Sequence, residues 1–258
     1  MDGAEQLNIM RFLLVYLLLI VILVIMKKSK VNQTKLLLVA SMRMTFQLVI
    51  AGFILTYIFK NPHPLFTVLY VIVMTIFAIF RVLIKNRDIN RNFKKAVALS
   101  LSLSGISIMI IFVIVVVGQN VFNPQYTIPL AGMIIGNSMT GVGLGLKSFK
   151  DSIRNNRNSI EALLNLGVTP KKILLPYVNS SLETALLPTL NSMVGTGIVT
   201  LPGMMTGQIL SGTLPNTAIM YQIAIMIAIC TSVCISVFCT LNFGYHTLYN
   251  KKNQITLD

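Results

Sequence analysis

The sequence predicts an all-α integral membrane protein with about seven transmembrane helices, its N-terminus outside and its C-terminus inside. Composition gives the class: 55% of the residues are hydrophobic and only 11% charged, with a mean hydropathy of +0.78. Length gives the count. A helix needs about 20 apolar residues to cross the hydrocarbon core, and stretches 7–26, 36–59, 65–84, 96–117, 128–146, 183–201 and 218–241 each come close to that. Charge gives the orientation, because cytoplasmic loops collect Lys and Arg. Lys27, Lys28, Lys30 and Lys35 fill the first loop, and Lys85, Arg87, Arg91, Lys94 and Lys95 the third. Lys147, Lys150, Arg154, Arg157, Lys171 and Lys172 fill the fifth and Lys251 and Lys252 the tail, whereas the even-numbered loops hold only Lys60. The formal charge of +14 therefore calls for no nucleic acid. The anionic headgroups of a plasma membrane are sufficient partners.

The first stretch has no small-residue cleavage site and runs into Lys27-Lys28, so it is expected to be a retained span. The first four spans read as scaffold. Arg43 lies about two turns inside the second, where it either faces the bundle interior or snorkels to the headgroups. Arg81, one turn from Lys85, reads as snorkelling. Ser100, Ser104 and Ser107 share a face of the fourth span and suit close helix packing.

The second half differs in texture. The fifth span reads IPLAGMIIGNSMTGVGLGL and the sixth ETALLPTLNSMVGTGIVTL, so the pattern NSM-x-G-x-G recurs at Asn137 and Asn191. Each Asn falls near the middle of its span, which predicts two tracts at similar depth running in opposite directions. Gly132, Gly136, Gly141 and Gly145 permit close approach of neighbouring helices. Asn137, Ser138, Thr140, Asn191, Ser192 and Thr196 are polar at depths where lipid cannot satisfy them. With Met139 and Met193 beside them, they form either interhelical hydrogen bonds or the lining of a pathway. Pro188 frees a carbonyl and is a candidate kink.

Between the fifth and sixth spans lies IEALLNLGVTPKKILLP, residues 160–176. Ile160, Leu163 and Leu164 recur at helical spacing, Gly167 supplies a stop, and Thr169-Pro170 an N-cap and first turn. Two short helices meeting there make a cytoplasmic hairpin that offers a small apolar knob to a partner's groove. A helix lying on the bilayer surface fits the same spacing. Ser180 and Glu183 have capping-box spacing at the entry to the sixth span. Residues 201–216, LPGMMTGQILSGTLPN, are too polar for a span and carry Met204, Met205 and Gln208. They are expected to form an outer re-entrant or loop segment.

Other chemistry is sparse. GVGLGLKS at 141–148 imitates a phosphate-binding loop, but Leu146 stands where the Walker pattern needs Gly and no strand precedes it. No nucleophile with its base, and no paired carboxylates, can be assembled; this is not an enzyme. Cys230, Cys234 and Cys239 share the last span, where thiolates for a soft cation compete with simple apolar packing. No set of His, Cys and carboxylate has metal-ligand spacing, so the metal ligands, if any, are unknown. No carboxylate sits mid-span, which disfavours ion-coupled secondary transport.

The runs IPLAGMIIGNSMTGVGLGL, EALLNLGVTPKKILLP and NSMVGTGIVTLPGMMTGQILSG closely resemble the FetB-type family of ABC transporter permeases. That family is associated with iron export in bacteria and is related to a plant aluminium-tolerance membrane subunit. The elbow is also similar to the EAA loop through which importer permeases engage their ATPases. Glu161, Ala162 and Gly167 fall on its Glu, first Ala and Gly; Leu163 replaces the second Ala, and Pro176 closes the motif about one turn early. The resemblance implies a single transmembrane permease domain over 1–258, with scaffold helices in 1–127, a glycine-rich core in 128–241 and a cytoplasmic coupling loop in 147–182. It implies a homodimer engaging a cytoplasmic ABC ATPase subunit through Glu161, Ala162, Leu163, Leu166, Gly167, Thr169 and Pro170. ATP and Mg would bind that partner and no cofactor this chain. A membrane scaffold that recruits a cytoplasmic partner, an autonomous channel, and a permease for another substrate stand as alternatives.

Overall fold

The computed structural model describes residues 9–250. The expected first-span residue Leu7, the acid Glu5 and the tail lysines Lys251 and Lys252 lie outside the described residues. The chain opens with α1 (Ile9–Leu14) and α2 (Leu17–Lys28), followed by α3 (Thr34–Lys60) and α4 (Pro64–Lys85). Next come α5 (Arg91–Ile111), which continues as a π-helical stretch over Phe112–Val117, and α6 (Pro124–Asn155). α7 (Arg157–Asn165), α8 (Pro170–Gly195), α9 (Gly203–Leu210) and α10 (Pro215–Tyr245) complete the order. Among the described residues there is no strand, only an isolated bridge between Thr196 and Thr200.

Proline and asparagine set most of the starts. α4, α6, α8 and α10 each begin at a proline, which suits the first helical position because its missing N–H has no partner there in any case. His63 Nδ1 accepts the Leu65 N–H at 3.2 Å, Asn90 Oδ1 the Phe93 N–H at 2.7 Å and Asn123 Oδ1 the Gln125 N–H at 3.1 Å. The π-helical stretch ends at Gly118, whose φ of 69° is left-handed and is readily adopted without a Cβ.

Among the described residues, five helical segments are long and apolar enough to cross a membrane: Thr34–Lys60, Pro64–Lys85, Arg91–Val117, Pro124–Asn155 and Pro215–Tyr245. The other two expected spans take a different form. Stretch 7–26 is interrupted at Val15-Tyr16, where Val15 N–H bonds to Phe12 O and Tyr16 N–H to Leu13 O, both at 3.1 Å. The 12 residues of α2 reach only about 18 Å. Stretch 183–201 is the second half of α8, which carries Lys171, Lys172, Glu183 and two internal prolines. That helix stops at Gly195, and residues 196–200 fold into a turn in which Gly197, at φ 89°, donates its N–H to Thr200 O at 2.9 Å. Ser180 and Glu183 consequently lie inside a helix. The expected capping box is absent, and Thr184 Oγ1 donates instead to Ser180 O at 2.9 Å.

α10 is the hub, packing on α5, α6, α8 and α9. Small residues bring its neighbours close. A Cβ built on Gly141 would come within 2.6 Å of Val233 Cγ1, and one on Gly145 within 3.0 Å of Val237 Cγ1 and 3.3 Å of Ala185 Cβ. Buried hydroxyls pair across the same interfaces: Ser138 of α6 with Ser232 at 2.8 Å, and Ser104 of α5 with Ser236. The N-terminal helices sit at the margin, with no buried residue in α2 and only Ile58 in α3. Arg43 is exposed, its guanidinium 5.5 Å from the centre of the Phe77 ring of α4, so the charge rests on an aromatic face.

The basic α4–α5 loop, the end of α6 and the segment after α10 meet at one end of the bundle. Lys150 near the end of α6 pairs with Asp88 of the α4–α5 loop at 2.6 Å, and Asn90 Nδ2 donates to Thr247 O at 2.9 Å just past α10. The opposite end is joined by Thr67 Oγ1 donating to Phe122 O at 3.0 Å.

Candidate functional site

At the basic end, α7 and the start of α8 form the elbow. Ile160 is its root, 1% exposed within the core, and Leu164 and Val168 pack partly against that core. The turn is a complete Schellman motif. Val168 N–H bonds to Leu163 O and Gly167 N–H to Leu164 O, each at 3.0 Å, around Gly167 at φ 80°. Pro170 is buried and starts α8, as its sequence position predicts. Thr169 occupies the N-cap position, but its side chain makes no capping hydrogen bond. The second helix is also not short: α8 runs 26 residues from Pro170.

What the elbow presents to solvent is mixed. Leu166 at its tip is 79% exposed and Leu163 37%. Glu161, Ala162 and Thr169 are exposed too. Arg157 Nε donates to Glu161 Oε1 at 2.8 Å, one helical turn apart, which holds the carboxylate along the flank and leaves the leucine tip uncharged. The whole is a rigid knob with an apolar summit.

The second feature is a partly open cavity of about 300 Å³ lined by α6, α8, α10, Pro202 and the start of α9. From the two NSM tracts it brings together Asn137, Thr140, Gly141 and Ser192, and from the outer segment Met204. Gly141 and Gly145 of α6 both face Ala185 of α8, and Ser192 of α8 shares the cavity wall with Met133 and Asn137 of α6. Asn191 lies one turn from the end of α8 and not mid-helix.

The remaining expected residues are elsewhere. Ser138 turns away to Ser232, Met139 packs half-buried on the core, and Asn191, Met193, Met205 and Gln208 are not in the cavity wall. Asn137 Nδ2 donates one of its two hydrogens to Met133 O at 2.7 Å and Thr140 Oγ1 its hydrogen to Gly136 O at 3.0 Å, both on their own helix. Pro188 lies in the wall; its ring cannot bond back to the Thr184 carbonyl. Residues not singled out in the sequence complete it: Met133, Thr189, Met226 and above all Gln222, 4% exposed with its Oε1 unpartnered. The available signal was that Gln222 is a lone amide in the otherwise apolar run IAIMIAIC and its preceding turn.

Electrostatics are confined to the basic end. Hydrogen bonding from Lys150 holds the Asp88 carboxyl below its usual range, against a smaller opposing effect of burial. Among the described residues no three of His, Cys, Asp and Glu come together as a metal cluster.

Comparison with known proteins places this geometry in context. The profile of the uncharacterised protein family UPF0014 matches residues 9–249. The chain is 31% identical over 245 residues to the probable iron export permease protein FetB of Escherichia coli, covering 95% of this chain and 93% of that one. It is 32% identical to the UPF0014 membrane protein YjkA of Bacillus subtilis, over 78% of this chain and 79% of the relative. Its identity to the protein ALUMINUM SENSITIVE 3 of Arabidopsis thaliana is 31%, over 83% and 77% of the two chains. No solved structure matches the chain.

Proposed function

The chain belongs to the uncharacterised protein family UPF0014, and from that premise we propose that it is the membrane permease subunit of an ABC transporter that exports a metal cation across the plasma membrane. Two copies pair and engage two copies of a separate cytoplasmic ATPase, which binds ATP and Mg. The observation that carries this reading is the elbow. A Schellman turn fixes an exposed Leu166 at the basic end, the end this reading assigns to the cytoplasm, and the helix that follows runs on to the cavity wall at Ala185–Ser192. From Pro170 to Pro188 that lever is about 27 Å long at 1.5 Å per residue. Motion of an ATPase groove around Leu166 tilts α8, and the cavity between α6, α8 and α10 changes its access. Glu161, Ala162, Leu163, Gly167 and Thr169 frame the contact. Iron as cargo and export as direction come from the name of the Escherichia coli relative.

The test is association with the ATPase. A tagged chain co-expressed with a candidate ABC nucleotide-binding subunit from the same genome is expected to co-purify with it, and Leu166→Glu and Glu161→Lys to lose it while still inserting in the membrane. Undiminished complexes in both variants, or labelling of position 161 from the outside of intact cells, would overturn the reading.

A further inference from the structure

We propose that the outward faces of α6 and α8 form the surface on which a second copy of this chain docks, so that Lys147 of each copy lies against Glu183 of the other. The inference rests on the reading of the chain as a permease that works in pairs, and it names the surface that pairs. On α6, Asn137, Thr140 and Lys147 are exposed and share one helical face, and on α8 so do Ser180, Glu183, Leu187 and Asn191. Asn137, Thr140, Pro188 and Ser192 are exposed and all line the partly open cavity, so the two helices border one mouth. Exposed apolar side chains are ordinary beside lipid, and α10 turns Ile223, Ile227 and Phe238 outward in that way. Exposed amides, hydroxyls and charges are not, because hydrocarbon offers them no partner. α6 is a spanning helix with Asn137 and Thr140 near its middle. α8 is 26 residues long yet too polar to count among the apolar spans.

A second copy is the occupant that fits, because the surface complements itself. Lys147 and Glu183 carry opposite charges, and neither joins an ion pair among the described residues. Asn137 commits one amide hydrogen to Met133 O, and the remaining N–H and the oxygen of an amide match the same groups of another. Two copies inserted alike are related by a twofold axis along the membrane normal, so each contact occurs twice and joins residues of like depth. The depths agree. Gly145 of α6 faces Ala185 of α8, and Lys147 and Glu183 each stand two residues from that contact, about 3 Å along the helix axis. The pairing places two Lys147–Glu183 contacts at the interface and sets the mouths of the two cavities against each other.

The test is cross-linking between two differently tagged full-length chains, co-expressed with Cys230, Cys234 and Cys239 changed to Ala. One carries Lys147→Cys and the other Glu183→Cys. Oxidation in isolated membranes is expected to give a covalent dimer bearing both tags, whereas Ile223→Cys with Ile227→Cys, on the lipid face of α10, is expected to give none. Association of the cysteine-free chain is then followed by single-molecule photobleaching as it is diluted in bilayers. Lys147→Glu and Glu183→Lys should each weaken it by about tenfold or more through like-charge contact. Both changes in one chain should restore it, which a folding defect cannot do. Absence of the two-tag product, or a double variant as weak as the single ones, overturns the proposal. A chain that cross-links here yet never associates with an ATPase refutes the permease reading alone. An ATPase complex that holds two copies and gives no two-tag product refutes only the surface.

Discussion

The hydroxyls of Ser138 on α6 and Ser232 on α10 meet at 2.8 Å with both residues fully buried. Each hydroxyl is the other's side-chain partner, so the two side chains behave as one unit. Within a membrane such a bond contributes about 0.6 kcal/mol on average. Ser138→Ala is expected to destabilise by that order, and adding Ser232→Ala to cost little more, since the first change has already broken the bond. A double-mutant cycle on unfolding in bicelles checks it; strictly additive losses would show that the pair is incidental.

The glycines of α6 divide into two kinds. A Cβ on Gly141 would stand 2.6 Å from Val233 Cγ1, closer than it can keep, and one on Gly145 a tight 3.0 Å from Val237 Cγ1, whereas a Cβ on Gly143 meets nothing within 4 Å. Gly141→Ala should therefore cost about 1–3 kcal/mol through overpacking. Gly143→Ala, on the same helix, should be neutral or stabilising by up to about 1 kcal/mol from reduced chain entropy. Thermal melting of the two purified variants distinguishes them.

Asp88 and Lys150 tie the α4–α5 loop to the end of α6 at 2.6 Å. The folded carboxyl titrates below its ordinary value of 3.8, so its contribution is fully present above about pH 4 and is lost as pH falls through the lower folded value. Both side chains are partly exposed, 31% and 53%, which limits the gain to about 0.5 kcal/mol. Asp88→Asn should remove that share of the acid sensitivity and of the salt dependence near pH 7. Parallel acid titrations of the two proteins that lose stability by the same amount would count against the pair.

Much of this architecture was legible because it is local. Pro64, Pro124, Pro170 and Pro215 announce helix starts, the Gly167 stop is a Schellman glycine, and the basic α4–α5 loop and the end of α6 meet at one end. The misreadings were of two physical kinds. Val15-Tyr16 breaks the first apolar run without a glycine or proline to mark it, and the apolar 198–201 hides the true end of α8 at Gly195. The cavity was half legible. Asn137 and Ser192 stood out as polar residues in apolar runs, but Met133, Met226 and Gln222 acquire meaning only when α6 and α10, some ninety residues apart, are brought together.

The elbow depends on one backbone angle and one side chain, and the two can be separated. Gly167 holds φ at 80° in open space, so a larger residue is opposed by backbone strain and not by a clash. Gly167→Val should cost about 1–2 kcal/mol locally and unwind the turn that orients Leu166, while Gly167→Asn, which tolerates the left-handed region, should keep most of it. Leu166→Ser leaves the turn intact and removes only exposed apolar surface, with a stability change within about 0.5 kcal/mol. The expected order of ATPase retention in a pull-down is therefore wild type, then Gly167→Asn, with Gly167→Val and Leu166→Ser both strongly reduced. Hydrogen exchange at Val168, whose N–H closes the turn on Leu163 O, should speed up in Gly167→Val alone. If Leu166→Ser retains the ATPase while Gly167→Val loses it, the partner reads the shape of the turn and not its apolar tip.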